Sequence, residues 1–126
     1  MQKLLIILLF LGSSIVAQIP KGYCKPTKVE ADPTSKAKLT IKFINPQGKP
    51  ATSHVAFKVN GDSLVQPEID SKGIYVMKLT PGTYSFNFFV KYWHDVNSKP
   101  ITLKPKTNTY ITVKFEAVEI GSTPVK

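Results

Sequence analysis

The chain contains no arginine, because all 17 of its basic residues are lysines. Arginine supplies the planar, bidentate forks that favour recognition of phosphates and base edges, whereas the lysine ammonium is a point charge. The formal net charge of +9 therefore attracts anions diffusely, and it serves solubility equally well. We accordingly expect no nucleic-acid partner. The choice of lysine alone also suggests a bacterial source.

Cysteine is nearly absent, since Cys24 is the single thiol of the chain. One cysteine cannot close an internal disulfide, so the hydrophobic core must stabilise the fold without a covalent cross-link. The polar, proline-containing flank KGYCKPTK predicts an exposed thiol in a tail. The sequence is compatible with a free thiol, a thiol bridged to another chain, or a lipidated one. Lys21 and Tyr23, however, both depart from a bacterial lipobox.

Long apolar runs are absent as well. The N-terminal run Leu4–Leu11 is interrupted at Gly12, whereas a membrane-spanning helix needs about 20 apolar residues. A basic residue, a short apolar run and a small residue at the cleavage point are instead typical of a secretory signal peptide. We predict a signal peptide over 1–17 and a mature chain without a transmembrane segment. The protein is then secreted, periplasmic or located at the cell surface.

Hydrophobic periodicity divides the remaining chain into three segments. Residues 18–37 carry three prolines and four lysines with little apolar periodicity, which predicts a flexible leader. Alternation with a period of two then begins, and it predicts one β-sandwich domain over 38–117. The pattern is lost in 118–126, which we predict to be a C-terminal tail. No helical period interrupts the predicted domain.

Seven short segments of the predicted domain alternate apolar and polar residues between turn signals. The fifth is the most decisive, because one of its faces carries an aromatic and aliphatic row, Tyr84, Phe86, Phe88 and Val90. Burial of such side chains contributes roughly 1.5–3 kcal/mol each, so this row belongs in the core. The pattern predicts an all-β fold, a seven-stranded antiparallel β-sandwich.

Three turn motifs carry a resemblance to a known family. They read Asn45-Pro46-x-Gly48-x-Pro50, Asp70-x-x-Gly73-x-Tyr75 and Leu79-x-Pro81-Gly82-x-Tyr84, in this order. The chain thereby resembles the carboxypeptidase regulatory-like domain over 38–116, and it departs from the family at Lys91, where a Gly-Tyr pair is usual. The resemblance implies a transthyretin-like (prealbumin-like) Greek-key β-sandwich. It also implies a non-catalytic accessory role, because family members are mostly appended to peptidases, outer-membrane receptors or adhesins.

Signals for catalysis are few. His94 and Asp95 form the single adjacent acid–base pair, and neighbouring residues of a strand point to opposite faces. No serine nucleophile elbow accompanies them. The purine-pathway hydrolase of the transthyretin-like fold would require an arginine, which this chain lacks. We therefore expect a non-enzymatic protein, and an enzyme built on His94 and Asp95 is the least favoured hypothesis.

We expect neither a metal nor a cofactor. The histidines and aspartates, among them His54, Asp62 and Asp70, fall in no recognised ligand spacing. Turn carboxylates such as those of Asp62 and Asp70 commonly bond to their own backbone instead.

The candidate binding residues lie in one loop after the fifth strand, Tyr92, Trp93, His94 and Asp95. An exposed tryptophan beside a tyrosine could stack on a sugar ring, with lysines nearby to suit an acidic glycan, or it could anchor a protein partner. Alternatively, Trp93 caps the open end of the sandwich with its ring buried. The sequence thus predicts an exported, monomeric β-sandwich module. Its role is a structural accessory or protein–protein interaction domain, or alternatively a carbohydrate-binding module, with an unidentified protein or glycan partner.

Overall fold

The computed structural model describes residues 21–33 and 36–118. Ten strands and no helix occur in these residues, which confirms the predicted all-β fold. The strands are β1 (Tyr23–Ala31), β2 (Lys38–Ile44), β3 (Ala56–Val59), β4 (Ser63–Val65), β5 (Ile74–Lys78), β6 (Gly82–Tyr84), β7 (Phe86–Phe89), β8 (Val96–Asn97), β9 (Ile101–Leu103) and β10 (Thr107–Lys114). The predicted signal peptide over 1–17 lies outside the described residues, as does the predicted tail beyond Val118. None of the described residues forms a helix that could cross a membrane.

The strands form two four-stranded sheets, in the orders β1-β10-β2-β5 and β4-β3-β7-β8, and one two-stranded sheet of β6 and β9. Aromatic contacts join the two larger sheets. Phe43 of β2 meets Phe88 of β7 edge to face with centroids 5.7 Å apart, and Phe57 of β3 meets Tyr75 of β5 at 6.2 Å. The sheets therefore share one hydrophobic core in a sandwich-like arrangement.

The aromatic row of the predicted fifth strand faces this core. Phe86 and Phe88 are buried with their rings stacked at 5.9 Å, and Val90 is buried beyond them. Tyr84 is partly buried, and its hydroxyl donates a hydrogen bond to the carbonyl of Thr80. The row thus lies where the alternation predicted it.

The prediction of a flexible leader over 18–37 is wrong for residues 23–31. These residues form β1, which pairs antiparallel with β10. Most of its side chains are exposed, and its register shifts between Pro26 and Lys28. Such an edge strand lacks the two-residue period from which strands are predicted, and an edge also tolerates a proline. The folded domain therefore begins before the predicted boundary at residue 38.

Cys24 lies in β1 opposite Val113, where it is partly buried and packs against the core. The expectation of an exposed tail thiol is therefore wrong. Burial raises the pKa of the Cys24 thiol to about 12, because the thiolate would lose hydration in this apolar site.

The prediction of a wholly antiparallel fold fails at one pair of strands. β10 runs parallel to β2, in a register that places Asn108 opposite Lys38 and Lys114 opposite Ile44. The Thr40 hydroxyl donates a buried hydrogen bond of 2.9 Å to the Asn108 side chain, which links the two strands. Alternation reports which residues face the core, but it does not report the direction of the neighbouring strand.

The strand count also differs from the predicted seven, because the fifth segment is divided at Ser85. Its first part, β6, pairs with β9, and its second part, β7, pairs with β3. The Ser85 N–H donates to the side-chain oxygen of Asn60 at 2.8 Å instead of to a neighbouring strand. β1 and the two-residue β8 are the strands that the pattern did not predict.

Two turns are fixed by their own polar side chains. Asn45 Oδ1 accepts hydrogen bonds from the N–H groups of Gln47 and Lys49, both at 2.9 Å. Asp70 Oδ1 accepts in the same way from the residues two and four positions later. Asp70 therefore has the local role that its turn position predicted, and the Asn45 turn becomes one wall of the pocket described next.

Candidate functional site

A pocket of about 460 Å³ lies between the segment that follows β2 and the segment that follows β7. We call it the Trp93 pocket. Its lining residues are Asn45, Pro50, Ala51, Thr52, Ser53, His54, Val90, Lys91, Tyr92 and Trp93. Ala51 and Val90 also belong to the hydrophobic core, so the core itself provides part of the pocket surface.

The first wall is held by backbone bonds that return the chain to β2. After the Asn45 turn, Pro50 forms an isolated bridge with Ile44, and the Ala51 N–H donates to the carbonyl of Phe43 at 3.0 Å. Ala51 is thereby buried. The polar residues 52–54 follow directly and line the pocket.

The second wall is fixed to the segment that follows β10. The Trp93 N–H donates to the carbonyl of Val90 at 3.1 Å, which turns the chain, and Trp93 forms an isolated bridge with Ala117. On either side, the His94 N–H donates to the Glu116 carbonyl at 2.9 Å, and the carbonyl of Tyr92 accepts from the N–H of residue 118 at 3.1 Å. These bonds hold the aromatic loop in a defined position.

Trp93 both packs against the core and lines the pocket. Its ring lies 5.3 Å from the ring of Phe115, which is fully buried, so it covers one end of the core. The ring is nonetheless only partly buried and lines the pocket. Within the part of the chain that the structure describes, no protein acceptor takes the indole N–H. The predicted cap is therefore also a pocket wall with a donor that remains available.

Tyr92 is the exposed aromatic residue of the pair, with 66% of its surface accessible. The Lys91 ammonium lies 5.2 Å from the centroid of its ring. The backbone of Tyr92 has φ of 73°, and His54 across the pocket has φ of 65°. Both are in the left-handed region, which costs a non-glycine residue about 1–2 kcal/mol, and such strain tends to cluster at binding sites.

The polar groups of the pocket are hydroxyls, amides and cations. Among the described residues that line it, none is aspartate or glutamate. Ser53 Oγ lies 3.0 Å from His54 Nδ1, but no lining carboxylate is present to orient that imidazole, so the pair does not form a hydrolytic triad. In the described ranges, no group of three or more histidine, cysteine, aspartate or glutamate side chains could hold a metal ion.

The four predicted site residues divide into two pairs. Tyr92 and Trp93 line the pocket, whereas His94 and Asp95 do not. His94 is half-buried and Asp95 is exposed. Within residues 21–33 and 36–118, no hydrogen bond or ion pair joins their side chains, so they are not arranged as an acid–base dyad.

The sequence did not associate residues 45–54 with the aromatic loop. The Asn45 turn was recognisable, and His54 was considered as a metal ligand, but nothing local indicates that these residues face Trp93. Their proximity results from the fold of the core between them.

A scan against protein-family models gives no match for this chain, and a search among curated proteins finds none either.

Proposed function

We propose that this chain is an exported, non-enzymatic β-sandwich module that binds a carbohydrate in the Trp93 pocket. The observation that carries the proposal is the position of the Trp93 ring, which is held 5.3 Å from Phe115 while it lines a concave site. A ring fixed in this way offers a flat apolar surface that loses little conformational entropy when a ligand stacks on it.

The size of the pocket supports a small ligand. Sites for small molecules commonly have volumes of roughly 300–1,000 Å³, whereas a stable protein–protein interface buries about 800 Å² on each partner. The Trp93 pocket, at about 460 Å³, falls in the first range. A glycan unit fits this class better than the broad face of a protein.

The chemistry of the walls supports a sugar. A pyranose ring has apolar C–H faces and an equatorial rim of hydroxyls. The aromatic pair Tyr92 and Trp93 complements the faces, and the side chains of Asn45, Thr52 and Ser53 offer hydrogen-bonding groups for the rim. The carbohydrate alternative of the sequence is therefore the function that we favour.

The proposal includes the fold family and the location. The transthyretin-like Greek-key topology of the carboxypeptidase regulatory-like domain is supported by the turn motifs, because the Asn45 and Asp70 side chains bond to their own turns and Tyr84 bonds back to Thr80. Export to the periplasm or cell surface rests on the signal peptide that the sequence predicts over 1–17. We propose that the module acts as a monomer.

Protein–protein contact is a second candidate, favoured by apolar side chains on two sheet edges. Leu64 of β4 is 56% exposed and Val76 of β5 is 46% exposed. A partner could add a strand at either edge. A photo-crosslinker placed at Val76 in producing cells tests this against one at Tyr92. A single protein adduct at Val76 supports edge pairing, and an adduct at Tyr92 alone would mean that the pocket holds a protein.

Binding of the mature chain to a panel of polysaccharides tests the carbohydrate function. Tyr92→Asn removes the exposed ring, and asparagine tolerates the positive φ of this position. Tyr23→Asn is the matched control, because Tyr23 is 44% exposed and has Lys25 at 5.0 Å from its ring, yet does not line the pocket. We expect Tyr92→Asn to weaken binding about tenfold, or about 1.4 kcal/mol, and Tyr23→Asn to bind like the wild type. The proposal would be contradicted if the mature chain bound none of the polysaccharides, or if the two variants bound them equally well.

A further inference from the structure

The Trp93 pocket contains a cation without a carboxylate partner. The Lys91 ammonium lies over the Tyr92 ring at 5.2 Å, and in the described part of the chain it forms no ion pair. On the opposite wall, the imidazole of His54 also lines the pocket. Because the described lining residues include no acidic side chain, the pocket favours an anionic group.

Acidic groups near the loop do not cancel this preference. Glu116 follows β10 beside the aromatic loop, but its carboxylate is engaged by the ammonium of Lys114 at 2.7 Å. Asp95 is exposed and lies outside the lining. Two other lysines are similarly paired, Lys28 with Glu30 and Lys38 with Asp32. Lys91 differs from these lysines because, among the described residues, no carboxylate pairs with it.

From this arrangement we propose that the ligand of the Trp93 pocket is an acidic sugar whose ring carries a carboxylate, as in a polymer of uronic acid. The carboxylate bonds to the Lys91 ammonium, and the sugar ring lies against Tyr92 and Trp93. A single lysine is suited to one carboxylate, because it offers a point charge and not the bidentate fork that arginine gives. This inference deepens the proposed function and rests on it.

The charge requirement is tested with pairs of polymers in which methyl esterification removes the negative charge. Polygalacturonate, alginate and hyaluronate are each compared with their methyl esters, which keep the rings and free hydroxyls but remove the negative charge. We expect the mature chain to bind at least one of the acids at least tenfold more tightly than its ester. The difference in affinity between acid and ester should decrease as salt is added, since salt screens the attraction between ammonium and carboxylate.

A pair of lysine variants locates the charge. Lys91→Met keeps the aliphatic stem and should abolish the preference for the acid, so that the acid and its ester bind this variant with comparable affinity. Lys25→Met is the matched control, because the Lys25 ammonium lies 5.0 Å from the Tyr23 ring on β1, away from the pocket. It should leave both affinities unchanged. Thermal melting of each variant establishes that the fold is intact.

The outcomes separate this inference from the function on which it rests. Equal affinity for the acid and its ester would overturn the acidic ligand but not the carbohydrate site. The same conclusion would follow if the chain bound neutral polysaccharides alone and Tyr92→Asn abolished that binding. Equal weakening by Lys91→Met and Lys25→Met would mean that diffuse net charge attracts the polymer, which also overturns the inference. Tight binding of a sulfated polymer, with no binding of the three uronates, would mean that Lys91 binds sulfate. That result would also overturn the inference. If the chain binds no glycan at all, the proposed function itself is contradicted.

Discussion

The ring of Trp93 lies against the ring of Phe115, with centroids 5.3 Å apart and planes inclined by 41°. Phe115 is completely enclosed, whereas Trp93 is only partly covered and lines the pocket. One side chain therefore contributes both to the stability of the domain and to its proposed site. Its neighbour Tyr92, which is largely exposed, contributes to the site alone.

Substitution of these two aromatic residues should separate stability from binding. Trp93→Ala uncovers the Phe115 ring and removes part of the core packing, so we expect it to lower the free energy of unfolding by about 2–4 kcal/mol. Tyr92→Asn should change it by less than about 0.5 kcal/mol, because the ring is exposed. Urea denaturation followed by circular dichroism measures both. Equal stability losses would mean that Trp93 does not cap the core.

Gly73 should tolerate substitution less well than Gly48, although both have positive φ, of 81° and 85°. A Cβ at Gly73 would lie 2.6 Å from the carbonyl oxygen of Phe43, whereas a Cβ at Gly48 meets nothing within 4 Å. Gly48→Ala therefore incurs only the backbone strain of about 1–2 kcal/mol. Gly73→Ala should lose at least about 1 kcal/mol more, because the hydrogen bond from the Phe43 N–H to the Gly73 carbonyl is also disturbed. Comparable melting temperatures for the two variants would contradict this packing.

The Cys24 thiol should make the protein less stable in alkali. Burial raises its pKa from 9.0 to about 12, so the neutral thiol is the form that the folded state favours. This stability is fully present below about pH 9 and is lost as the pH rises towards 12. The gap in unfolding free energy between the wild type and Cys24→Ala should therefore narrow over that interval. A gap that stays constant from pH 8 upwards would mean that the thiol is not buried.

The same burial should protect Cys24 from thiol reagents. We expect labelling at neutral pH to be at least tenfold slower in the native chain than in urea, since the reactive species is the thiolate. Equal rates in the two conditions would indicate the exposed tail thiol that the sequence alone predicted.

Removal of β1 tests the corrected boundary of the domain. A chain that begins at Lys36 lacks the strand that pairs with β10 from Tyr23 opposite Lys114 to Ala31 opposite Thr107. Its loss would leave the β10 edge unpaired, so we expect a lower melting temperature and a tendency to aggregate relative to a chain that begins at Gln18. A flexible leader would instead leave the melting temperature unchanged.

Much of the fold could be predicted from the sequence, because burial on one face of a strand imposes a period of two. The row that contains Phe86 and Phe88 is the clearest case, and Asp70 has the local role that its turn position indicated. β1 could not be predicted in the same way, since an edge strand whose side chains are exposed except for Cys24 has no such period. The break at Ser85 also escaped prediction, because it depends on Asn60, which is distant along the chain.

The candidate site could be predicted only in part. An aromatic pair in a loop was visible in the sequence, and Tyr92 and Trp93 do line the pocket. The opposite wall, residues 50–54, becomes adjacent to them only after the core has formed. His94 and Asp95 were grouped with the aromatic pair by sequence proximity, but the structure places neither of them in the pocket lining.

Intrinsic fluorescence tests the central claim most directly, because Trp93 is the single tryptophan of the chain. A chain that begins at Gln18 is titrated with uronic acid oligosaccharides while the emission spectrum is recorded. A ligand that stacks in the Trp93 pocket should change the emission saturably, at concentrations that rise about tenfold in Tyr92→Asn and are unaltered in Tyr23→Asn. Saturable binding measured by calorimetry with an unchanged emission spectrum would place the ligand elsewhere on the protein and contradict the account.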